Sequence, residues 1–324
     1  MYSHANSKSE MKIVETSSRF TSNYGHTLQV YLWRNAEYPH SAKGVVHLCH
    51  GMHSSAVFYI KLARSLVKQG FICYANDHYG HGDSEGKRAD PPKFSYYVDD
   101  LCDLMIKEKD EHPEIPFFLY GTSMGGLISI HAVEKLKSEF FDGVVYECPA
   151  FGIALPFITY LPLGLIHFTV SLITSILPSL TSWPIGPPYK ILTSDESIIQ
   201  YLKSHPNYFK GYSKITHLNN IVCAQKNITT WSKKHTQPTL IMFGDSDRLC
   251  DLGTARQVFQ GMKAEDKTFI EYGNARHWLM FEKYNIRGRV TNDAISWIIH
   301  HVNELKKESD KQKDDFFDKS LQLE

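Results

Sequence analysis

Two hydrophobic patterns follow one another along the chain. Residues 12–18 and 27–34 (TLQVYLWR) alternate apolar and polar positions, which predicts two half-covered strands joined by a turn at Asn23-Tyr24-Gly25. Beyond them come short runs that are apolar almost throughout: GVVHLC (44–49), FICYAN (71–76), PFFLYG (116–121), GVVYEC (143–148), PTLIMFG (238–244) and KTFIEY (267–272). Such runs suit parallel strands covered on both faces. Amphipathic stretches near 56–69, 95–110, 125–138, 253–263 and 289–306 read as helices between them. The alternation of strand and helix predicts an α/β fold, a mostly parallel doubly wound sheet with an antiparallel pair at its start.

One region breaks the alternation. Between Cys148 and Tyr189 there is no Asp, Glu, Lys or Arg, and residues 149–237 are rich in Pro, Leu, Ile and Thr. This segment reads as a cap inserted between two strands. The expected organisation is a core in two parts, residues 1–148 and 238–305, with the cap at 149–237 and a charged, fraying tail at 306–324.

Composition narrows the classes. With 35 Lys and Arg against 35 Asp and Glu, no basic field exists to hold nucleic acid. Cys49, Cys73, Cys102, Cys148, Cys223 and Cys250 form no C-x-x-C pair, and several lie in apolar runs. They read as free thiols in a reducing compartment. The polar N-terminus is unlike a secretory signal, so a cytoplasmic protein is expected.

The candidate chemistry sits at strand ends. PFFLYG runs into Gly121-Thr122-Ser123-Met124-Gly125-Gly126 and then LISIHAVEKL, which is strand, G-x-S-x-G, helix. A serine on that sharp turn is exposed as a nucleophile, and the helix that follows aims its N-terminus at developing negative charge. GVVHLC ends in His50-Gly51-Met52-His53. A His-Gly after the third strand supplies a backbone N–H that pairs with the one after the serine, so the amides of Met52 and Met124 are the candidate oxyanion hole. In such sheets the acid and then the histidine follow the serine along the chain. PTLIMFG leads into Asp245, Asp247 and Asp251, and KTFIEY into His277, the one histidine between 236 and 299. Asp247, three residues beyond Gly244, is the preferred acid; Asp245 is nearer the strand end, and Asp251 suits a helix cap.

His50-Gly51, Asp77 through Gly86, Gly121 through Gly126 and Gly244 through Asp251 together resemble the monoacylglycerol lipase branch of the α/β-hydrolases, over about residues 20–305. The resemblance implies that the acid lies at Asp247. It also implies an alcohol pocket on the loop after His-Gly, where the family usually carries a glutamate and an arginine. Ser54 and Phe58 take those places here, and Met280 stands where a further histidine is usual. The alcohol side is therefore less polar than in the family.

The expected function is a serine ester hydrolase that takes a lipid ester with a long or medium acyl chain, without cofactor. A lysophospholipase, a general carboxylesterase or an aminopeptidase-like relative is the alternative, although the charge-free stretch of the cap offers no acidic group to bind a free amine; a non-catalytic binding protein on this scaffold is the more distant one. His78, His81 and Asp83 do not have the spacing of a hydrolytic metal motif, and no metal is expected. The uncharged stretch 157–177 is long enough to cross a bilayer, but it carries Pro162, Gly164 and His167 and lies between Ser123 and Asp247. A lid lying on a membrane surface fits it better, so peripheral membrane contact is expected.

Overall fold

A computed structural model describes residues 12–37, 42–154, 163–177, 189–211 and 213–321. Eight strands form one sheet: β1 (Ile13–Thr21), β2 (Thr27–Asn35), β3 (Gly44–Cys49), β4 (Phe71–Asn76), β5 (Phe117–Thr122), β6 (Gly143–Glu147), β7 (Thr239–Gly244) and β8 (Lys267–Tyr272). The helices are α1 (Ile60–Lys68), α2 (Ser95–Glu111), α3 (Met124–Leu136), α4 (Leu163–Ile176), α5 (Tyr189–Leu192), α6 (Glu196–Ser204), α7 (Ile215–Ala224), α8 (Ile228–Ser232), α9 (Leu252–Gly261) and α10 (Tyr284–Leu321).

The spatial order is β1-β2-β4-β3-β5-β6-β7-β8. β2 pairs antiparallel with β1 and β4, and every other pairing is parallel. Every residue of β3 to β7 is buried, which is why these runs carry no alternation; β8 departs from that expectation, because it lies at the edge of the sheet and only its Tyr272 is buried. α1 shows the complementary pattern: Leu62, Ala63, Leu66 and Val67 share one buried face. Burying each large side chain there contributes about 1.5–3 kcal/mol.

The chain leaves β3 for β4 on one side and later returns to β5 on the other. The ends of β3 and β5 therefore flank the point where strand order reverses, the usual place for a site in an open α/β sheet. Helices α4 to α8 lie between β6 and β7, within the span expected to form the cap. Residues 155–162 and 178–188 of that span lie outside the described residues. No helix among the described residues is long and apolar enough to cross a membrane.

The C-terminus departs from expectation. The helix anticipated at 289–306 is longer, running from Tyr284 to Leu321, so the charged stretch beyond Lys306 continues it as helix. Lys, Glu, Gln and Asp sustain a solvated helix where i,i+3 and i,i+4 pairs form, as Lys307 does with Glu304 at 2.7 Å.

The loop from Asp77 to Gly86 is a structural turn. The buried Asp77 carboxylate accepts the amides of Ala56 (2.7 Å) and Asp83 (2.9 Å). Gly82, at φ 47°, passes so close that a Cβ there would lie 2.0 Å from Asp77 Oδ2. No disulfide joins any of the six cysteines, all of which lie among the described residues; Cys223 is half-buried and the other five are buried.

Candidate active site

The site begins with strain at one residue. Ser123 links the end of β5 to the start of α3 at φ 57°, ψ −119°. A non-glycine residue held there costs about 1–3 kcal/mol and persists only where its surroundings over-determine it. Ser123 N–H donates to Glu147 O (2.9 Å), and Ser123 O accepts from Ala150 (2.9 Å) and Leu127 (3.2 Å). Gly125 is required because a Cβ there would sit 2.1 Å from Cys49 O, at the end of β3. The elbow and the His50-Gly51 loop thus meet at backbone distance.

His277 Nε2 lies 2.8 Å from Ser123 Oγ, and its Nδ1 lies 2.7 Å from Asp247 Oδ2. The other Asp247 oxygen accepts the amides of Leu249 (2.8 Å) and Cys250 (3.1 Å), which fixes the carboxylate plane. Burial opposes a charged imidazole here, but the Asp247 carboxylate outweighs it, so His277 is held well above the ordinary histidine range. The other two aspartates are spent elsewhere. Asp245 is exposed and accepts the Asn274 amide (2.7 Å), and Asp251 caps α9 by accepting the Thr254 amide (2.6 Å). Of the three acids, the structure brings Asp247 to His277.

The loop that carries the candidate oxyanion donor Met52 is held by neutral histidines. His50 Nε2 accepts the His78 amide at 3.0 Å, which leaves its Nδ1 to donate to Gly51 O at 2.8 Å. Burial, helped by His78 and His81, pushes His50 well below the ordinary range, in keeping with that neutral tautomer. In a trans peptide the N–H points opposite to the C=O, so the Met52 amide is turned away from the His50 ring. Gly51 itself packs on the nucleophile: a Cβ on it would lie 3.1 Å from Ser123 Cβ. Met124 is the first residue of α3, directly after Ser123.

The remaining candidates fall in two environments. Phe58 is buried among the rings of Tyr201, His205, Tyr208, Trp278 and Phe281. Ser54 is buried, and its Oγ has no partner among the described residues. The Met280 sulfur instead accepts from Thr291 Oγ1 on α10 (3.4 Å), and its amide donates to Glu147 (3.0 Å).

Several residues that hold this site escaped the sequence reading. His53, at φ 64°, bonds through Nε2 to Ser213 Oγ of the cap at 2.7 Å. The buried Glu282 accepts the amides of Arg276 (2.9 Å) and Ser194 (3.1 Å), joining the histidine loop to the cap. Glu147 is a carboxylate inside the otherwise apolar run GVVYEC, and that anomaly is the signal that marks it. Cys148 Sγ, an Asp247 carboxylate oxygen and a His277 nitrogen lie within 4.8 Å of one another. Among the described residues no other such group gathers so closely, and His78, His81 and Asp83 do not. Here the acid and the histidine are already bonded to each other.

The chain also resembles known proteins. Residues 40–284 match the family model described as serine aminopeptidase, S33. The chain is 27% identical to the monoglyceride lipase of Mus musculus over 281 residues, covering 86% of this chain and 88% of that one. It is 26% identical to the monoacylglycerol lipase of Mycolicibacterium smegmatis over 266 residues, with coverage of 80% and 89%. A soluble variant of Saccharomyces cerevisiae monoglyceride lipase, solved with a substrate analog, superposes with a TM-score of 0.76 at 21% identity, covering 88% of this chain and 94% of that one. With its strand order, its serine elbow and this family match, the chain belongs to the serine aminopeptidase S33 family of α/β-hydrolases.

Proposed function

We propose that this chain hydrolyses carboxylic esters of fatty acids, monoacylglycerols foremost, through an acyl-enzyme on Ser123. One observation carries the reading: a hydrogen-bonded line from Ser123 Oγ through His277 to Asp247, with spacings of 2.8 and 2.7 Å, on a serine strained into an elbow. His277 takes the serine proton as Oγ attacks the ester carbonyl, and Asp247 steadies the imidazolium. The imidazolium then protonates the leaving alcohol. Water repeats the sequence on the acyl-enzyme and releases the acid. The Met52 and Met124 amides face the oxyanion; one such donor contributes about 3–4 kcal/mol in comparable sites.

The lipid preference rests on relatives that are monoglyceride lipases and on the cap. On α4, Leu165, Phe168, Leu172, Ile173 and Ile176 are exposed, spaced along one side of the helix. An uncharged stripe of this kind suits the surface of a bilayer or micelle. The aromatic surroundings of Phe58 favour a second reading, a carboxylesterase with a less polar alcohol. A panel of monoacylglycerols, lysophospholipids and p-nitrophenyl esters, compared by kcat/KM, decides between them. Monoacylglycerols should lead; uniform rates would favour the general esterase, and no turnover with no fluorophosphonate labelling would end the hydrolase reading.

A further inference from the structure

The sequence places a carboxylate in the strand next to the nucleophile. Glu147 is the last residue of β6, pairs in register with Thr122 of β5 and is fully buried. Its Oε2 accepts the hydroxyls of Tyr120 (2.9 Å) and Thr122 (2.9 Å), one residue before Ser123. Its Oε1 accepts the amide of Met280 (3.0 Å), three residues after His277. Its own carbonyl accepts the Ser123 amide (2.9 Å). One residue thus ties the serine elbow to a loop more than a hundred residues away. A buried carboxylate is costly unless its oxygens are satisfied, so all three donors are held to it.

We propose that Glu147 is a positioning residue of the hydrolytic centre, joining the nucleophile strand to the histidine loop and adding a second negative charge behind His277. The inference rests on the hydrolase reading above. Glu147 does not touch the ester; it acts through Thr122, Met280 and the field at the imidazole. Burial raises its pKa, while the Met280, Tyr120 and Thr122 donors and the His277 charge oppose the rise. Tyr59, Tyr272 and Cys148 also face it, and burial holds each of them protonated above its usual range. The charge that answers Glu147 is therefore the imidazolium, which forms as Ser123 attacks.

The test is the pH dependence of kcat/KM for a soluble short-chain ester, with melting temperature as the control for folding. Glu147→Gln keeps the shape and removes the charge, so His277 loses its proton at lower pH. The acid limb should move down by about half a unit or more, and kcat should fall about tenfold with KM within about twofold. Tyr120→Phe removes one of the donors that favour the Glu147 anion, so the same limb should move down, by less than in Glu147→Gln. A downward shift in both variants, larger in Glu147→Gln, marks a charge acting on the imidazole; a packing role would move neither limb. A folded Glu147→Gln enzyme with an unmoved limb overturns the proposal. If Glu147→Gln does not fold, an unmoved limb in Tyr120→Phe overturns it instead. Failure of the wild type to label with a fluorophosphonate would overturn the hydrolase reading itself.

Discussion

Helix α4 and the segment that follows it belong to one insertion but relate to the site in opposite ways. From Tyr189 onward the cap is bonded to the catalytic loops. Leu192 O accepts the Trp278 amide (2.8 Å), Thr193 Oγ1 donates to Phe281 O (2.6 Å), and His53 O accepts the Phe209 amide (3.0 Å). α4 packs on α7 and turns Phe168, 66% exposed, and Ile176, 68% exposed, outward. The first arrangement satisfies backbone groups next to His277 and the oxyanion loop, so it belongs to the site's scaffold. The second leaves apolar area in water, which a membrane or lipid aggregate would cover. Bonding to the loops around His277 and an outward apolar face are thus divided between two parts of the span between β6 and β7.

Substitutions break this division in order of effect. Ser123→Ala should abolish turnover and fluorophosphonate labelling of every ester, long or short, while the melting temperature holds. Labelling equal to wild type would place the nucleophile elsewhere.

Asp247→Asn should lower kcat by about 10⁴, since the amide favours the wrong histidine tautomer. It should also lower the pH of the acid limb, because the carboxylate that raises the His277 pKa is gone. Asp245→Asn and Asp251→Asn should cost far less, the latter about 1 kcal/mol of stability through the α9 cap. A larger kcat loss at either would overturn the assignment of the acid.

On the bonded half, Glu282→Gln should destabilise the protein by about 2–3 kcal/mol, the scale of a charge-assisted bond lost in a buried place. Short and long esters should lose rate alike. An unchanged melting temperature would show that the cap is not tied to the histidine loop through Glu282.

On the outward half, Leu172→Asp should weaken vesicle binding and slow long-chain esters severalfold, with little change for a short soluble ester. Binding by the wild type should depend weakly on salt, since α4 carries no basic residue. Equal loss for both substrates, or a wild type that ignores vesicles, would remove the membrane from the account.

The smallest effect is expected at Cys250. Its thiol is buried and faces His277 and Ser123, and burial raises its pKa, so maleimide should react slowly. Inhibition should nevertheless develop over time and be absent in Cys250→Ser.

Local sequence determined whatever local physics decides. Continuous apolar runs specify strands covered on both faces. The glycines flanking Ser123 specify an elbow, and the fold adds the contacts that require them: a side chain at Gly125 would collide with Cys49 O and one at Gly51 would press on the serine. The charge-free stretch specified an insertion. Tertiary structure decided what depends on partners distant along the chain. Which aspartate serves His277 turned on the direction of three carboxylates in one loop, and Asp245 and Asp251 differ from Asp247 only in what they meet. Glu147 acquires its donors from β5 and from a loop 133 residues on. The outward face of α4 could not be read from composition, because an uncharged stretch carries no residue whose charge must face water. Periodicity locates an element, but only the packed fold decides which of its groups meet.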